Sequence, residues 1–283
     1  MPLREPPSGN VPFLPADTLA GRVALVTGGG SGLGLAMAEG FAEAGADVAL
    51  IGRGSARLEQ AAARLERLGR RVVMATADVR EPEQIVAAFD AVEAQLGPVS
   101  ILANNAGANF AARAEQMSAN AFRAVTRIAY DGTFFCSTEF ARRSIRDGRP
   151  GVIINNAAPY AWTGFPCDAH SAPAKAATVN LTKTLAIEWV SAGIRVNCIA
   201  AGFFPHDGSL SATAATADAR LGPHIPAGRP GRMRELSCTA AWLVSDYAAF
   251  VTGAVLVMDG GEWLRRGLEM PHFVPVPERE ALW

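Results

Sequence analysis

Short apolar runs alternate with longer amphipathic stretches along most of the chain. Each apolar run is nearly continuous, which is typical of strands buried on both faces of a parallel sheet. The runs predict strands at Val23–Thr27, Asp47–Ile51, Arg71–Thr76, Ser100–Asn104, Val152–Asn156, Arg195–Ala200 and Val255–Met258. The amphipathic stretches predict helices at Leu33–Ala44, Ser55–Leu68, Glu81–Gln95, Ala119–Asp147 and Ala172–Ala192.

This alternation predicts an α/β fold in which one doubly wound parallel sheet carries helices on both faces. No break in composition divides the chain, so residues 18–262 are predicted to form a single domain. Residues 1–17, rich in Pro and Gly, predict an extended N-terminal arm. Residues 203–233, rich in Gly, Pro and Ala, predict a mobile substrate lid. Residues 263–283 contain three prolines and form a C-terminal tail.

Charge and composition narrow the class of protein. The formal net charge is −1, which argues against a nucleic-acid or anionic-membrane partner and favours a small-molecule substrate. No apolar run reaches the roughly 18 residues of a membrane span, and no secretory leader is evident, so we expect a cytoplasmic protein. No two cysteines have zinc-site spacing, so no metal site is expected and buried, inert thiols are predicted. The cysteines are Cys136, Cys167, Cys198 and Cys238.

A glycine-rich loop joins the first predicted strand to the first predicted helix, from Gly28 to Gly34. Glycines in this context permit a tight turn and a close approach to a pyrophosphate, while the helix N-terminus presents free N–H groups to the anion. The loop therefore predicts a dinucleotide site. Its expected contacts are Gly28, Gly30, Ser31, Gly32, Leu33 and Gly34.

The residues that follow the second strand favour NADP(H) as the dinucleotide. An NAD-specific site usually carries Asp or Glu there to bind the ribose 2′-hydroxyl. This chain has Arg53, which can pair with a 2′-phosphate, and Ser55, which can donate to it. Further contacts are expected after the third, fourth and sixth strands. They are Asp78, whose carboxylate can accept from the adenine amine, and Val79, Asn105, Ala106, Gly107, Gly202 and Phe203.

Several motifs together resemble the short-chain dehydrogenase/reductase family over about residues 18–262. They are Thr27–Gly34, Asn105-Ala106-Gly107, Lys175 on the helix after the fifth strand, Arg195-Val196-Asn197 and Asp259-Gly260-Gly261. The resemblance implies a Rossmann-type sheet of seven strands, a homotetramer and hydride transfer from a nicotinamide. It also implies that Lys175 contacts the cofactor.

The usual catalytic set of that family is Asn, Ser, Tyr and Lys, and three of these are replaced. The position four residues before Lys175, usually tyrosine, is Ser171, and the position 13 residues before that, usually serine, is Ala158. The usual asparagine maps to Ala129. Alanine cannot donate a proton, and a serine hydroxyl is a poor general acid near neutral pH. The usual carbonyl-reductase mechanism therefore does not carry over.

One branch of the family, the mitochondrial-type 2,4-dienoyl-CoA reductases, departs in the same way. Residues 104–110 resemble its asparagine-bearing loop, residues 160–164 its displaced tyrosine and residues 171–175 its serine–lysine pair. The resemblance implies an NADPH-dependent reductase of a conjugated enoyl thioester. Trp162 and Phe165 are expected to line an acyl pocket. The implied catalytic residues are Asn109, Tyr160, Ser171 and Lys175.

The chemistry of that reaction suits these residues. Hydride adds to the far end of the conjugated system, and negative charge develops on the thioester oxygen. The Tyr160 O–H and an Asn109 N–H are suitable donors to that oxygen, and Lys175 can bind the nicotinamide ribose. Ser171 can link Lys175, Tyr160 or a water, and the carbon can be protonated from solvent.

Two other functions stay open, and a third is disfavoured. The first is an NADPH-dependent reductase of a ketone, imine or other biosynthetic intermediate that uses Tyr160 as the acid. The absence of a clear basic cluster for the phosphates of CoA favours it. The second is a catalytically inactive NADP-binding protein. The third, a Ser171/His170/Asp168 hydrolase, is disfavoured because residues so close in sequence do not readily form an in-line relay.

Overall fold

The apolar runs form one seven-stranded sheet. The computed structural model describes residues 3–7, 13–206 and 221–264. The strands are β1 (Val23–Thr27), β2 (Asp47–Gly52), β3 (Val72–Thr76), β4 (Ile101–Asn104), β5 (Gly151–Ala157), β6 (Ile194–Ala201) and β7 (Val255–Met258). Their order is β3-β2-β1-β4-β5-β6-β7, and every neighbouring pair is parallel.

The strand order confirms the predicted Rossmann-type, doubly wound sheet. The strand order reverses between β1 and β4. The loops after these two strands leave on opposite sides of the sheet, and a crevice opens between them at the carboxyl ends of the strands. The glycine loop follows β1 and residues 105–110 follow β4, so both predicted site loops lie at this crevice. The strand order alone therefore brings the two loops together at one edge of the sheet.

Helices cover both faces of the sheet. They are α1 (Gly32–Glu43), α2 (Ser55–Glu66), α3 (Pro82–Leu96), α4 (Ala119–Thr126), α5 (Gly132–Arg146), α6 (Tyr160–Thr163), α7 (Ser171–Trp189) and α8 (Met233–Val244). Alternate residues of β1 point to opposite faces, as the pleat requires. Ala24 and Val26 pack with α1, α2 and α8, whereas Val23 and Leu25 pack with α3, α5 and α7.

The predicted single helix Ala119–Asp147 is interrupted. A π-helical turn at Arg127–Asp131 separates α4 from α5. A π turn inserts one residue, and such turns are frequent at functional sites. Directly after it, a Cβ added to Gly132 would lie 2.6 Å from Val79 Cγ2, so the helix passes very close to the loop after β3. Sequence periodicity does not reveal a single inserted residue.

Two helices were missed by the sequence analysis. Helix α6 is a single turn directly after β5, too short to show a period. Helix α8 begins at Met233, the last residue of the predicted lid. Of that lid, residues 207–220 lie outside the described part of the chain, and so do residues 265–283 of the tail.

The described part of the N-terminal arm lies against residues 227–232. The Leu3 backbone N–H donates to the Ala227 carbonyl at 2.8 Å. The buried Arg229 guanidinium donates to the backbone carbonyls of Leu3 and Arg4 and also pairs with Glu235. These contacts join the arm to the polypeptide just before α8, so the arm packs on the main domain.

Candidate active site

The glycine loop forms a tight cradle at the N-terminus of α1. Gly28 and Gly32 have φ values of 63° and 54°, in the left-handed region that favours glycine. A Cβ added at Gly34 would clash with the Gly28 carbonyl oxygen and lie 2.5 Å from Asn105 Nδ2. The backbone of the loop is therefore accessible because these positions carry no side chain. That geometry fits a pyrophosphate held by backbone N–H groups.

A cavity of about 550 Å³ opens beside this loop at the carboxyl ends of β1 to β4. Eight of the predicted cofactor contacts line it: Gly28, Gly30, Ser31, Arg53, Asp78, Val79, Ala106 and Gly107. The other predicted contacts are not among its lining residues, namely Gly32, Leu33, Gly34, Ser55, Asn105, Lys175, Gly202 and Phe203. The cavity thus fits the adenosine half of a dinucleotide.

Two arginines line the cavity where β2 leads into α2. Arg53 lines it, and Arg57 in the first turn of α2 also lines it. Arg57 was missed by the sequence analysis. A second basic residue in the first turn after the strand is the signal that could have identified it. Its backbone packs on the glycine loop, since a Cβ added at Gly30 would lie 3.3 Å from the Arg57 carbonyl carbon.

Asp78 is already paired within the protein. Its two carboxylate oxygens accept from Arg80 Nε at 2.9 and 3.0 Å, and Oδ1 also accepts from the Arg80 backbone N–H. The hydrogen bonds from Arg80 lower the pKa of Asp78, and the nearby charge of Arg53 lowers it further. Each carboxylate oxygen has two lone pairs, so the ionised Asp78 can still accept from an adenine amine.

A chain of amide groups connects the glycine loop to the helix that carries the lysine. Asn105 Nδ2 donates to the carbonyl oxygens of Thr27 and Gly28, at 3.2 and 3.3 Å. Asn156 Nδ2 donates to Asn105 Oδ1 at 3.0 Å. Lys175 Nζ donates to the Asn156 backbone carbonyl at 2.7 Å. Asn105 therefore stabilises the glycine loop by hydrogen bonds to its backbone and does not line the cavity.

Lys175 lies on α7 with its ammonium group partly withdrawn from solvent. Loss of hydration lowers the pKa of Lys175 to about 8, and the neighbouring Cys198 opposes this shift. An ammonium group has three donors, and one of them is used on Asn156. Two N–H donors are left for a ligand at the site.

Tyr160 and Ser171 are in direct contact. The Tyr160 hydroxyl lies 3.2 Å from Ser171 Oγ, and either oxygen can be the donor. Burial raises the pKa of Tyr160, the hydrogen bond to Ser171 lowers it, and the charge of Asp168 raises it again. The net upward shift keeps the phenol protonated at neutral pH. Tyr160 therefore stays a hydrogen-bond donor, as the displaced-tyrosine interpretation requires.

Asn109 joins the same cluster through Asp168. Its Nδ2 donates to Asp168 Oδ2 at 3.0 Å, and its Oδ1 accepts from the backbone N–H of Phe110 at 2.9 Å. The Asn109 side chain is exposed at the mouth of the site, whereas Asp168 is buried. The structure thus brings Asn109, Tyr160, Ser171 and Lys175 to one region, and it adds Asp168, which the sequence suggested only as part of the disfavoured hydrolase.

The two alanines at the usual catalytic positions are buried. Ala158 follows β5, and Ala129 lies in the π turn between α4 and α5. The backbone carbonyl of Ala129 accepts from Thr133 Oγ1 at 2.8 Å and from Thr178 Oγ1 at 3.4 Å. Threonine hydroxyls from α5 and α7 hold the turn here. Neither alanine offers a side-chain hydrogen bond to a substrate.

Gly202 and Phe203 follow the carboxyl end of β6. A Cβ added at Gly202 would lie 2.5 Å from Asp259 Cβ, so this position has no space for a side chain. The Phe203 carbonyl accepts from the Gly231 backbone N–H at 3.0 Å. The start of the predicted lid is therefore bound to the segment that leads into α8. The His206 ring also lies beside Gly32, 3.2 Å from an added Cβ.

The prediction of four buried thiols is half right. Cys136 and Cys198 are buried, and burial raises the pKa of each to about 12. Cys167 is exposed and Cys238 is partly exposed, so the prediction is wrong for these two. Cys167 lies in a surface turn between α6 and α7, where its φ is 64°. Among the described residues, no group of His, Cys, Asp or Glu could hold a metal ion.

Comparisons with known proteins agree with this geometry. The model of a family described as enoyl-(acyl carrier protein) reductase matches residues 28–262. A probable 2,4-dienoyl-CoA reductase of Bacillus subtilis (strain 168) is 39% identical over 246 residues, which cover 86% of this chain and 97% of that protein. A peroxisomal 2,4-dienoyl-CoA reductase of Danio rerio is 38% identical over 256 residues, 88% of this chain and 83% of that protein.

Solved structures show the same relationship. A short-chain dehydrogenase from Bacillus anthracis str. 'Ames Ancestor' is 38% identical with a TM-score of 0.80, and the match covers 88% of this chain and 99% of that one. A gluconate 5-dehydrogenase from Burkholderia cenocepacia J2315, in complex with NADP and tartrate, is 36% identical with a TM-score of 0.79; the match covers 87% of this chain and 97% of that one.

The chain belongs to the short-chain dehydrogenase/reductase family. Within that family it falls in the 2,4-dienoyl-CoA reductase-like branch. It is an oxidoreductase, and no helix in its described residues is long and apolar enough to cross a membrane.

Proposed function

We propose that this protein is an NADPH-dependent reductase of a 2,4-dienoyl thioester, with CoA as the thiol. The observation that carries the proposal is the contact between Tyr160 and Ser171, whose hydroxyl oxygens lie 3.2 Å apart. Ser171 itself lies one helical turn before Lys175 on α7. At the same time alanine occupies positions 129 and 158, where a carbonyl reductase of the family has its asparagine and serine. The site therefore offers a displaced hydroxyl donor in place of the usual one.

The choice of NADPH rests on the charges at the end of β2. Arg53 and Arg57 both line the adenosine cavity, and the residues directly after β2 include no carboxylate that would bind a 2′-hydroxyl. A guanidinium group presents several donors in one plane and pairs well with a phosphate. Ser55, the first residue of α2, can add a hydroxyl donor to the 2′-phosphate.

When bound, the nicotinamide supplies the hydride. The protein's part is to orient the thioester and to stabilise the charge that develops on its oxygen. The Tyr160 O–H and the second N–H of the Asn109 amide are the donors to that oxygen. The two unused donors of Lys175 would hold the ribose hydroxyls of the nicotinamide nucleotide. Ser171 orients the Tyr160 hydroxyl.

The reaction balances without a further co-reactant. Hydride adds to C5, the far end of the conjugated system, and the electrons move to the thioester oxygen as a dienolate. One solvent proton then adds to carbon, at C2 or C4, and restores the thioester. Because no carbinol oxygen needs a proton, the loss of donors at Ala129 and Ala158 does not stop this reaction.

Aromatic side chains beside Tyr160 support an acyl substrate. Phe165 is 61% exposed and Trp162 is 42% exposed, although both are large and apolar. The Phe165 ring centroid lies 6.0 Å from that of Tyr160, and Trp162 packs against Trp263 at 5.6 Å. Exposed apolar groups next to a polar donor suit a fatty acyl chain whose thioester reaches Tyr160.

A second candidate is an NADPH-dependent reductase of a ketone or an imine that uses Tyr160 as the acid. The similarity to a gluconate 5-dehydrogenase favours it, since that protein's name describes carbonyl chemistry. Tyr160 with its raised pKa would then have to give up its proton to a carbinol oxygen. That demand is harder to meet than hydrogen bonding to a dienolate, because the shift makes the phenol a weaker acid.

The test is NADPH oxidation followed by absorbance near 340 nm. Purified protein is given a 2,4-dienoyl-CoA, the matching 2-enoyl-CoA or the matching 3-ketoacyl-CoA. We expect consumption with the dienoyl-CoA alone. Consumption with the 3-ketoacyl-CoA alone would support the second candidate. Tight NADPH binding without any consumption would support an inactive binding protein.

A homotetramer is also part of the proposal. Several large apolar side chains project from the described surface, and they include Ile187, which is 80% exposed, and Phe134, which is 41% exposed. Helices α5 and α7 carry these two residues, and a stable assembly would cover them. Light scattering coupled to size exclusion should give four times the 29.7 kDa chain mass. A monomer would contradict the expectation.

A further inference from the structure

Asp168 is a buried carboxylate in the loop between α6 and α7. Only 6% of its surface is exposed. Aspartate is rarely buried to this extent unless it is paired. Among the ion pairs between described residues, none includes Asp168. Its identified side-chain partner is Asn109, whose Nδ2 lies 3.0 Å from Oδ2. Asn109 thus gives Asp168 a neutral hydrogen bond, while burial and also the charge of Asp168 raise the pKa of Tyr160.

The backbone fixes Asp168 on both sides. Cys167, directly before it, has φ 64° although it is not glycine, so this turn holds an unfavourable conformation. The Cys167 carbonyl accepts from the Ala112 backbone N–H at 2.9 Å. After it, the Asp168 carbonyl accepts from the Ala172 backbone N–H at 3.0 Å, in the first turn of α7. The carboxylate is therefore held in a defined place.

A ring contact joins the same two loops. The Phe110 and His170 rings meet edge to face, with their centroids 4.6 Å apart and an angle of 80° between their planes. Three contacts thus connect the loop after β4 to the loop before α7: a backbone bond, the Asn109–Asp168 bond and this ring pair. The Asn109 loop is otherwise exposed, so these contacts determine where its amide lies.

We propose that Asp168 is a positioning residue that acts through Asn109. By accepting one hydrogen of the Asn109 amide, it fixes the direction of the second, which is then free to meet the thioester oxygen. A donor that is already oriented needs no reorganisation as charge develops on that oxygen. This inference rests on the proposed function, because it assigns Asn109 to the thioester.

A mutant cycle separates this role from a general structural one. Asp168→Ala removes the acceptor, whereas Asp168→Asn keeps an acceptor oxygen and removes the charge. We expect kcat to fall on the order of 10²-fold in Asp168→Ala, as for the loss of an oriented donor. In Asp168→Asn it should stay within about threefold of the wild type, because the hydrogen bond survives. Glu115→Ala is the control, because Glu115 lies in the segment after β4 that also carries Asn109 and its side chain is 69% exposed.

The decisive measurement is kcat of the double variant Asn109→Ala/Asp168→Ala. If Asp168 acts through Asn109, the double variant should be no slower than Asn109→Ala alone. Wild-type kcat in Asp168→Ala, an equal loss in Asp168→Ala and Asp168→Asn, or additive losses in the double variant would each overturn the inference.

Failure of the proposed function is distinguishable from failure of this inference. In the first case the wild type reduces no dienoyl-CoA. The position of the amide is then read from a crystal structure of Asp168→Ala, without any activity. We expect the Asn109 side chain to leave its wild-type rotamer. An unchanged rotamer would contradict the positioning role.

Discussion

Asn156 links the cofactor loop to the catalytic helix, since its side chain donates to Asn105 while its backbone carbonyl accepts from Lys175. Asn105 in turn binds the carbonyls of Thr27 and Gly28. The lysine and the glycine loop are thus positioned by one series of hydrogen bonds. Cofactor binding and catalysis should depend on each other through this series.

Asn156→Ala should weaken NADPH binding. Removing the amide leaves Asn105 Oδ1 without its donor, and a buried polar group that loses its partner costs about 1–3 kcal/mol. We expect the Kd for NADPH, measured by quenching of protein fluorescence, to rise roughly tenfold. Asn180→Ala, with an exposed side chain on α7, is the control. An unchanged Kd in Asn156→Ala would show that the loop does not need this support.

Tyr160→Phe should lower kcat for the dienoyl-CoA by roughly 10² to 10³, the usual cost of losing one oxyanion donor. KM should change much less, because the donor acts mainly on the charged oxygen. Steady-state rates at 340 nm measure both constants. Tyr247→Phe serves as the control, since Tyr247 is 67% exposed and far along the sequence, after α8. Normal turnover by Tyr160→Phe would remove Tyr160 from the reaction.

Arg53→Ala and Arg57→Ala should reduce the preference for NADPH over NADH. Both arginines line the adenosine cavity, and a charge-assisted bond to a phosphate is worth about 1.5–3 kcal/mol. We therefore expect kcat/KM for NADPH to fall by about 10- to 100-fold, with little change for NADH. Arg67→Ala, at the far end of α2, should behave as the wild type. If the wild type uses both cofactors equally, the assignment of the arginines to a 2′-phosphate is wrong.

Lys175 should make stability depend on pH in alkaline solution. Its pKa is about 8 in the folded protein against 10.5 for an ordinary lysine, so the unfolded chain binds more protons between these values. The free energy of unfolding contributed by this group therefore rises with pH from about 8 to about 10.5. The slope approaches about 1.4 kcal/mol per pH unit within that window.

Urea unfolding of the wild type and of Lys175→Met measures this dependence. The advantage in stability of Lys175→Met should shrink as pH rises from about 8 to about 10.5, because the wild type no longer buries a charge. Lys183→Met, on the exposed side of α7, is the control. A difference between wild type and Lys175→Met that stays constant across this range would mean that Lys175 is not desolvated.

The fold could be predicted from the sequence because strands buried on both faces need continuous apolar runs. All seven predicted strands occur in the sheet, and no bound is shifted by more than one residue. The glycine loop could be predicted as well, because its close approaches exclude side chains at Gly28 and Gly34. Both features follow from local constraints that the residue types express directly.

The missed features depend on contacts between distant segments. The hydrogen bond between Asn109 and Asp168 joins residues 59 positions apart, and no local sequence pattern indicates it. The π turn at Arg127–Asp131 changes the helical period by one residue, which amphipathicity cannot resolve. Arg57 lines the cavity because the first turn of α2 packs on the glycine loop. Tertiary packing, not residue type, created each of these features.

The most direct test of the central claim is the destination of the hydride. NADPH that carries deuterium at the transferred position is incubated with a 2,4-dienoyl-CoA and the protein, and the product is analysed by NMR. Our account predicts one deuterium at C5 of an enoyl-CoA, none at the carbonyl carbon, and a strong dependence of the yield on Tyr160. Deuterium on the carbonyl carbon of an alcohol product, or no transfer at all, would contradict it.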